Sequence, residues 1–489
     1  MPSIPTGGTA GPNAAAGAQL ERTLGLMEAL MIGVGTMIGA GIFVLPGSAA
    51  NIAGPAVALS FVIGGVIALF TALSASELAT AMPRAGGSYH FINKSLGPLA
   101  GSIAGLGNWL GLAFATAFYV IGFGSYIGLL LEAVVSVRPV QLGFFTLSVA
   151  QIGGLIGGLL FIAVNYVSTK GTGKMQNVIV TGLLGILVIF ILLGMIEADV
   201  STLLPFAPEG WDAVLPGTAL IFVSYLGFVK ITTVAGEIKE PSKNLPRALI
   251  GSVLLVTVLY AVVMVVILGV VDRGDIAGSE TAVADVAGIL FQSFFGVAGV
   301  GIVLLTFAGL LATASSANAS ILSASRINYA MGRDGLFFSY FNGIHPRFNT
   351  PHRAIALTGG FILFFVVVGD VATLAKAASV LHLIVYGLLN IALIVFRETK
   401  HVHYHPTYTV PLYPWVPIAG ALSSFGLIAF MEWTEILLGL AFVLIGVGWY
   451  VGYVRSRVGD RSALAQYRNP TSVEVEASTE TKDAPPENS

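Results

Sequence analysis

The chain has no cysteine and very little charge. Its 23 basic and 25 acidic side chains amount to 10% of 489 residues, compared with about 25% in an ordinary soluble domain. The absence of cysteine excludes disulfides, thiolate metal sites and cysteine nucleophiles. So few charges cannot cover a water-soluble fold of this length, which excludes a soluble enzyme and a nucleic-acid-binding protein. No catalytic residue, metal site or organic cofactor is predicted.

Hydrophobic residues make up 55% of the chain, glycine occurs 60 times, and the mean hydropathy is +0.87. Apolar blocks alternate with short polar segments, and about 20 apolar residues suffice for one helical crossing of a bilayer. The pattern predicts an all-α integral membrane protein with twelve transmembrane helices, near 26–48, 54–81, 98–131, 141–165, 176–196, 215–236, 247–271, 286–328, 353–372, 377–397, 412–431 and 434–455. Flanking residues 1–22 and 458–489 are predicted to be disordered tails.

Basic residues are distributed unevenly between the two sides of this arrangement. With the N-terminus inside, 19 of the 23 Lys and Arg residues fall on the cytoplasmic side, against three in outer loops, Arg138, Arg273 and Lys376. Cytoplasmic loops of membrane proteins carry such an excess. We therefore expect a multi-pass protein of the cell membrane, surrounded by lipid, with both termini cytoplasmic.

The first span contains glycine at 33, 35, 39 and 41. Each glycine weakens a helix by about 1 kcal/mol relative to alanine. Two readings follow: close packing against another helix through small residues, or an unwound segment at Gly39-Ala40-Gly41. Free backbone N–H groups at the start of a half-helix bind anions such as carboxylates.

The sixth span contains Phe222-Val223-Ser224-Tyr225-Leu226-Gly227-Phe228, in which one glycine lies among aromatic residues. Spans 1 and 6 occupy corresponding positions in two halves of five spans each. Interrupted helices in matching positions indicate a transporter site between inverted repeats. Backbone carbonyls of the sixth span would hold an ammonium group, so the pair of segments suits an α-amino acid.

Four ordered motifs resemble those of the amino acid–polyamine–organocation (APC) superfamily, closest to prokaryotic relatives of cationic amino acid transporters. The motifs are GVGTMIGAGIFVLPG at 33–47, ELA at 77–79 with MPRAGGSY at 82–89 and GPLAG at 97–101, FVSYLGF at 222–228 with GEIKEP at 236–241, and AMGRDG at 330–335 after SR at 325–326. The resemblance runs from about Leu24 to Arg397.

The resemblance implies a secondary active permease working by alternating access, with a five-plus-five inverted repeat. Repeat one covers about 26–196, repeat two about 215–397, and spans 11 and 12 about 412–455, within a transporter domain at 23–457. It implies that the substrate backbone binds Gly39, Ala40 and Gly41 together with residues of the sixth span, namely Val223, Ser224, Tyr225, Leu226, Gly227 and Phe228. The oligomeric state stays open.

Sodium is the hypothesis for the coupling ion. Proton-coupled relatives often carry a lysine in span 5, but here that position falls on Leu183. Gly35 and Ile38 carbonyls with Ser315 and Ser316 hydroxyls would supply four oxygen ligands of the roughly five or six that sodium takes. The alternative is proton coupling through Glu77, Lys230 or Glu237, which are candidates for coupling or gating because ionisable residues inside spans are often functional.

The side chain of the substrate is predicted from the pocket wall, expected from spans 3, 6, 8 and 10. No Asp or Glu occurs in the middle of spans 3, 8 or 10, which favours neutral, apolar or small amino acids, although the family resemblance favours cationic ones. Exchange or proton-coupled transport of cationic amino acids or polyamines, and a nontransporting amino acid sensor, remain alternatives.

Overall fold

The computed structural model describes residues 22–82, 87–132, 139–142, 145–167, 173–401 and 404–468. Of the two predicted tails, residues 1–21 and 469–489 lie outside the described residues. One hairpin, Val140–Leu142 (β1) with Phe145–Leu147 (β2), is antiparallel. The described α-helices are Leu26–Val44 (α1), Pro46–Ala53 (α2), Val57–Ala81 (α3), Gly87–Leu96 (α4), Pro98–Glu132 (α5), Val149–Val167 (α6), Gly173–Glu197 (α7), Val214–Ile221 (α8), Lys230–Thr233 (α9), Pro241–Val270 (α10), Arg273–Ile276 (α11), Ala282–Phe295 (α12), Ala298–Arg333 (α13), His352–Val368 (α14), Val371–Glu398 (α15), Trp415–Ile428 (α16), Trp433–Trp449 (α17) and Ala463–Arg468 (α18).

Ten helical segments of the described chain are long and apolar enough to cross a membrane, and α12, α14 and α16 are shorter apolar helices. A helix satisfies all of its internal backbone hydrogen bonds, which is required in hydrocarbon. The exposed surface carries many large apolar side chains, among them Val178, Leu192 and Trp433. The protein is therefore an all-α integral membrane protein, as its composition predicts.

The apolar block at 286–328 differs from the single predicted span. It is divided between α12 and α13 by Gly296, which adopts a left-handed conformation with φ of 69°. Glycine tolerates this conformation and commonly ends helices. Hydropathy alone could not reveal the division because both sides of the break are apolar.

Residues 458–468, assigned to the tail from the sequence, include α18, which packs against α4. Ser462 and Ala463 at its start are buried. The short segment was missed because its apolar contacts are few and its composition is polar. Residues 469–489 lie outside the described residues.

Glycines allow α5 and α6 to touch through their backbones. A Cβ on Gly124 would lie 1.9 Å from the Ala150 carbonyl oxygen and 2.5 Å from the Gly154 nitrogen. Small residues at such contacts let helices in membranes approach closely enough for van der Waals packing. The contact joins α6 to the central helix α5, which packs extensively against α13 and α15.

Replacing Gly124 with alanine should therefore destabilise the fold. Because the new methyl group has no space, we expect a loss of about 1–3 kcal/mol, the usual cost of overpacking, seen as a lower thermal unfolding midpoint in detergent. Gly182→Ala in α7 is the matched control, since nothing lies within 4 Å of its added Cβ. Equal midpoints for the two variants would contradict this account of the α5–α6 contact.

Candidate functional site

The backbone of α1 leaves the helical conformation at one residue near its middle. Gly39 has φ of 7° and ψ of −143°, and the residues from Gly33 to Val44 are buried. Backbone groups at such an interruption lose part of their helical hydrogen bonding. In a membrane protein this is tolerated where the groups line a cavity or lie inside the protein. The interruption falls in the segment Gly39-Ala40-Gly41 that the sequence singles out.

Two serine side chains approach this segment from other helices. A Cβ on Gly39 would lie 2.2 Å from Ser316 Oγ of α13, and one on Gly41 would lie 2.3 Å from Ser224 Oγ. Both hydroxyl groups are buried and have no hydrogen-bond partner in the structure. A buried hydroxyl without a partner costs free energy, so both oxygens are available to a ligand at the interruption.

The predicted segment of the sixth span faces the same region. Residues Phe222–Tyr225 form a 3₁₀ turn instead of an α-helix, and Gly227 contacts α1 so closely that its Cβ would lie 2.5 Å from the Met37 nitrogen. Thr36 Oγ1 donates a hydrogen bond of 3.0 Å to the Gly227 carbonyl oxygen. The structure thus brings the two predicted substrate segments into direct contact.

Tyrosine hydroxyls bind the carbonyl oxygens of these segments. Tyr260 OH of α10 donates to the Met37 carbonyl at 2.5 Å and lies 3.4 Å from that of Ser224. Tyr386 OH of α15 donates to the Leu226 carbonyl at 3.4 Å. Sequence reasoning missed both tyrosines, since nothing local distinguishes them from ordinary packed aromatic residues.

The predicted aromatic residues close the centre of the bundle. Phe222, Tyr225 and Phe228 are completely buried. The Tyr386 ring centroid lies 6.0 Å from that of Phe222 and 5.5 Å from that of Phe228. Tyr225 OH donates to the Phe61 carbonyl at 2.7 Å. These contacts describe a site closed over its backbone groups.

Of the predicted ion ligands, Ser316 is the one whose oxygen is buried and unpartnered beside Gly39. Gly35 and Ile38 are buried in the turn of α1 that precedes the interruption. Ser315 is half-buried. Of these four residues, Ser316 is the one that the structure places against the interruption at Gly39.

The predicted coupling residues lie apart from one another. Lys230 is buried, and its Nζ donates a 2.8 Å hydrogen bond to Ser320 Oγ of α13. It does not pair with Glu237 in any ion pair among the described residues. The backbone of Glu237 binds the chain ahead of α1, its carbonyl accepting from the Leu24 nitrogen at 3.0 Å.

Glu77 is completely buried at the end of α3, where donors from distant parts of the chain surround its carboxylate. Arg397 donates from Nε at 2.7 Å and from NH2 at 2.5 Å. Tyr404 OH donates at 2.9 Å and the Val410 nitrogen at 2.6 Å. Burial and the carboxylate raise the pKa of Tyr404 well above its ordinary value, so the phenol keeps its proton. The carboxylate therefore ties α3 to α15 and to the segment that follows it.

Comparison with known proteins identifies the family of this chain. A family model described as amino acid permease matches residues 24–451. The chain belongs to the amino acid permease family. This match confirms the APC resemblance predicted from the four motifs, and it identifies a membrane transport protein, not an enzyme.

Several relatives of this permease cover most of its length. It is 29% identical to the branched-chain amino acid permease BcaP of Bacillus subtilis, over 89% of this chain and 94% of the relative. It is 30% identical to the methylthioribose transporter of the same organism, over 90% and 94%. It is 31% identical to the vacuolar cationic amino acid transporter 4 of Arabidopsis thaliana, over 81% and 65%.

The Glu77 cluster predicts a structural effect in this permease. Glu77→Gln removes the charge that Arg397 and two further donors share, so we expect a loss of about 3 kcal/mol of stability, as for other broken buried ion pairs. Thermal unfolding in detergent measures it, with the exposed Glu240→Gln as control. Unchanged stability together with abolished transport would contradict this and assign Glu77 to coupling.

Proposed function

We propose that this permease is a secondary active amino acid transporter that works by alternating access. The α-carboxylate of the substrate binds the backbone N–H groups of Gly39, Ala40 and Gly41. The α-ammonium binds carbonyl oxygens of the segment 222–228. The two ends of an amino acid thereby bind backbone groups of the two segments that meet at the centre of the bundle.

One observation carries this proposal, the pair of buried hydroxyls without partners at Ser224 and Ser316. Each lies against one of the two glycines that flank Ala40. Most buried polar groups in proteins have a partner, so an orphaned pair needs an explanation. A ligand that carries several polar atoms at the interruption would satisfy both.

The tyrosine hydroxyls support the ammonium half of the proposal. Tyr260 OH lies 3.4 Å from the Ser224 carbonyl and Tyr386 OH donates to the Leu226 carbonyl, and both carbonyls belong to the segment proposed to bind the ammonium. In the structure a tyrosine hydroxyl lies near each of these oxygens. When the substrate binds, its three N–H donors replace or share these bonds.

The same proposal includes the finer topology. It comprises twelve spans, the five-plus-five inverted repeat, interrupted helices in spans 1 and 6, and cytoplasmic termini in the cell membrane. The apolar helices α14 and α16, added to the ten longer ones, support the number of twelve spans. The asymmetry of Lys and Arg supports the orientation. The side chain of the substrate does not follow from the relatives, whose names refer to different compounds.

Counterflow in liposomes tests the substrate site. Purified protein in vesicles preloaded with unlabelled amino acids should take up labelled amino acid, and Gly41→Ala should reduce this uptake at least tenfold because its Cβ collides with Ser224. Ser224→Gly in the same chain removes the colliding atoms, so the double variant should recover part of the uptake. Gly182→Ala is the control.

Absence of uptake for every amino acid by folded wild-type protein would contradict transport and favour the nontransporting sensor. Full uptake by folded Gly41→Ala would show that substrate binds elsewhere.

Sodium coupling is part of the proposal and has its own test. Ser316 Oγ is the buried oxygen free to bind an ion beside Gly39. An inward sodium gradient should stimulate wild-type uptake several-fold, and Ser316→Ala should lose that stimulation while it retains sodium-independent counterflow. Equal wild-type uptake with and without sodium would overturn sodium coupling and leave the substrate site standing.

A further inference from the structure

A small cavity adjoins the proposed backbone-binding segment and is lined by four spans. Its volume is about 20 Å³, enough for about one water molecule. Asn108 comes from α5, Leu226 and Lys230 from the sixth span, Ser323 from α13, and His382 with Tyr386 from α15. Spans 3, 6, 8 and 10 are those expected to form the side-chain pocket of the substrate.

Lys230 is the one Lys, Arg, Asp or Glu residue in this lining, which also includes His382. Its ammonium has three donors and one hydrogen bond in the described structure, to Ser320 at 2.8 Å. The Tyr119 ring centroid lies 6.0 Å from Nζ. No ion pair among the described residues includes it. A buried cation with no counter-ion is costly, and such residues mark ligand or ion paths inside membranes.

The cavity shares two lining residues with the proposed amino acid site. Leu226 and Tyr386 line it, and the Tyr386 hydroxyl donates to the Leu226 carbonyl, one of the acceptors proposed for the substrate ammonium. A substrate held there by its backbone can direct its side chain into the cavity. The volume, that of about one water molecule, is too small for a whole amino acid. A side-chain carboxylate is larger than one water, so the cavity must widen as the substrate binds.

We propose that this cavity receives the side-chain carboxylate of the substrate, with Lys230 as its counter-ion, so that the permease selects acidic amino acids. The inference rests on the proposed function, since it needs the backbone site at α1. It replaces the expectation of an apolar side chain, which followed from the lack of acids in the pocket wall. Lys230 also excludes a cationic side chain, because two like charges repel strongly at close range in a poorly screened environment.

Counterflow with a panel of amino acids tests the inference. In wild type, aspartate or glutamate should compete with labelled substrate at least tenfold better than asparagine or glutamine, and lysine should not compete. Lys230→Met should abolish this preference, and Lys230→Arg should retain part of it. Lys243→Met, in which an exposed lysine in the first turn of α10 is changed, should behave as wild type.

The remaining outcomes separate the possible explanations. If wild type and Lys230→Met transport neutral amino acids with the same preference, the inference is overturned and the proposed function remains intact. Uptake of neutral amino acids that requires chloride in wild type, but not in Lys230→Met, would also overturn it by assigning the cavity to a free anion. If a Lys230 variant fails to fold, the panel measured with wild type still tests selectivity. If folded wild type transports no amino acid, the proposed function itself is contradicted.

Discussion

The arrangement of the site depends on contacts that leave no room for a side chain at three glycines. Gly39 meets Ser316, Gly41 meets Ser224, and Gly227 meets the backbone of α1 at Met37. These contacts hold the interrupted part of α1 between α13 and the sixth span. Because any Cβ would force the three elements apart, glycine here fixes the geometry of the backbone as well as permitting its conformation.

Closure of the site follows from the same contacts. The buried aromatic residues Phe222, Tyr225 and Phe228 exclude solvent from the interruption, and Tyr260 and Tyr386 satisfy carbonyls that water cannot reach. Two serine hydroxyls remain unsatisfied. The site is therefore compact, with two hydroxyl groups that lack a partner, and a polar ligand that binds them would favour the conformations in which it is bound.

Much of the fold can be predicted from local sequence, and the rest depends on contacts between residues that are far apart in the chain. The apolar blocks predicted the integral membrane class, and the family motifs predicted the amino acid permease family. Gly39, where α1 departs from helical dihedral angles, lies in a run of glycines that is visible in the local sequence. The partners of Glu77 could not be found locally, because Arg397 and Val410 lie 320 and 333 residues away along the chain. The cavity beside Lys230 likewise forms from four distant spans.

Those long-range contacts also changed the interpretation of Lys230. In the sequence it is a charge inside the sixth span and one of three candidates for coupling or gating. In the structure its ammonium bonds Ser320 across the bundle and lines a cavity beside the proposed substrate site. The physical reason is the turn at 226–229, which brings the start of α9 toward α13.

A structure of the protein with a transported amino acid bound would test the central claim most directly. The account predicts the α-carboxylate within hydrogen-bonding distance of the amide nitrogens of Gly39, Ala40 and Gly41, about 2.7–3.2 Å, with Ser224 or Ser316 also in contact. Density for the amino acid elsewhere, with α1 continuously helical through Gly39, would contradict it.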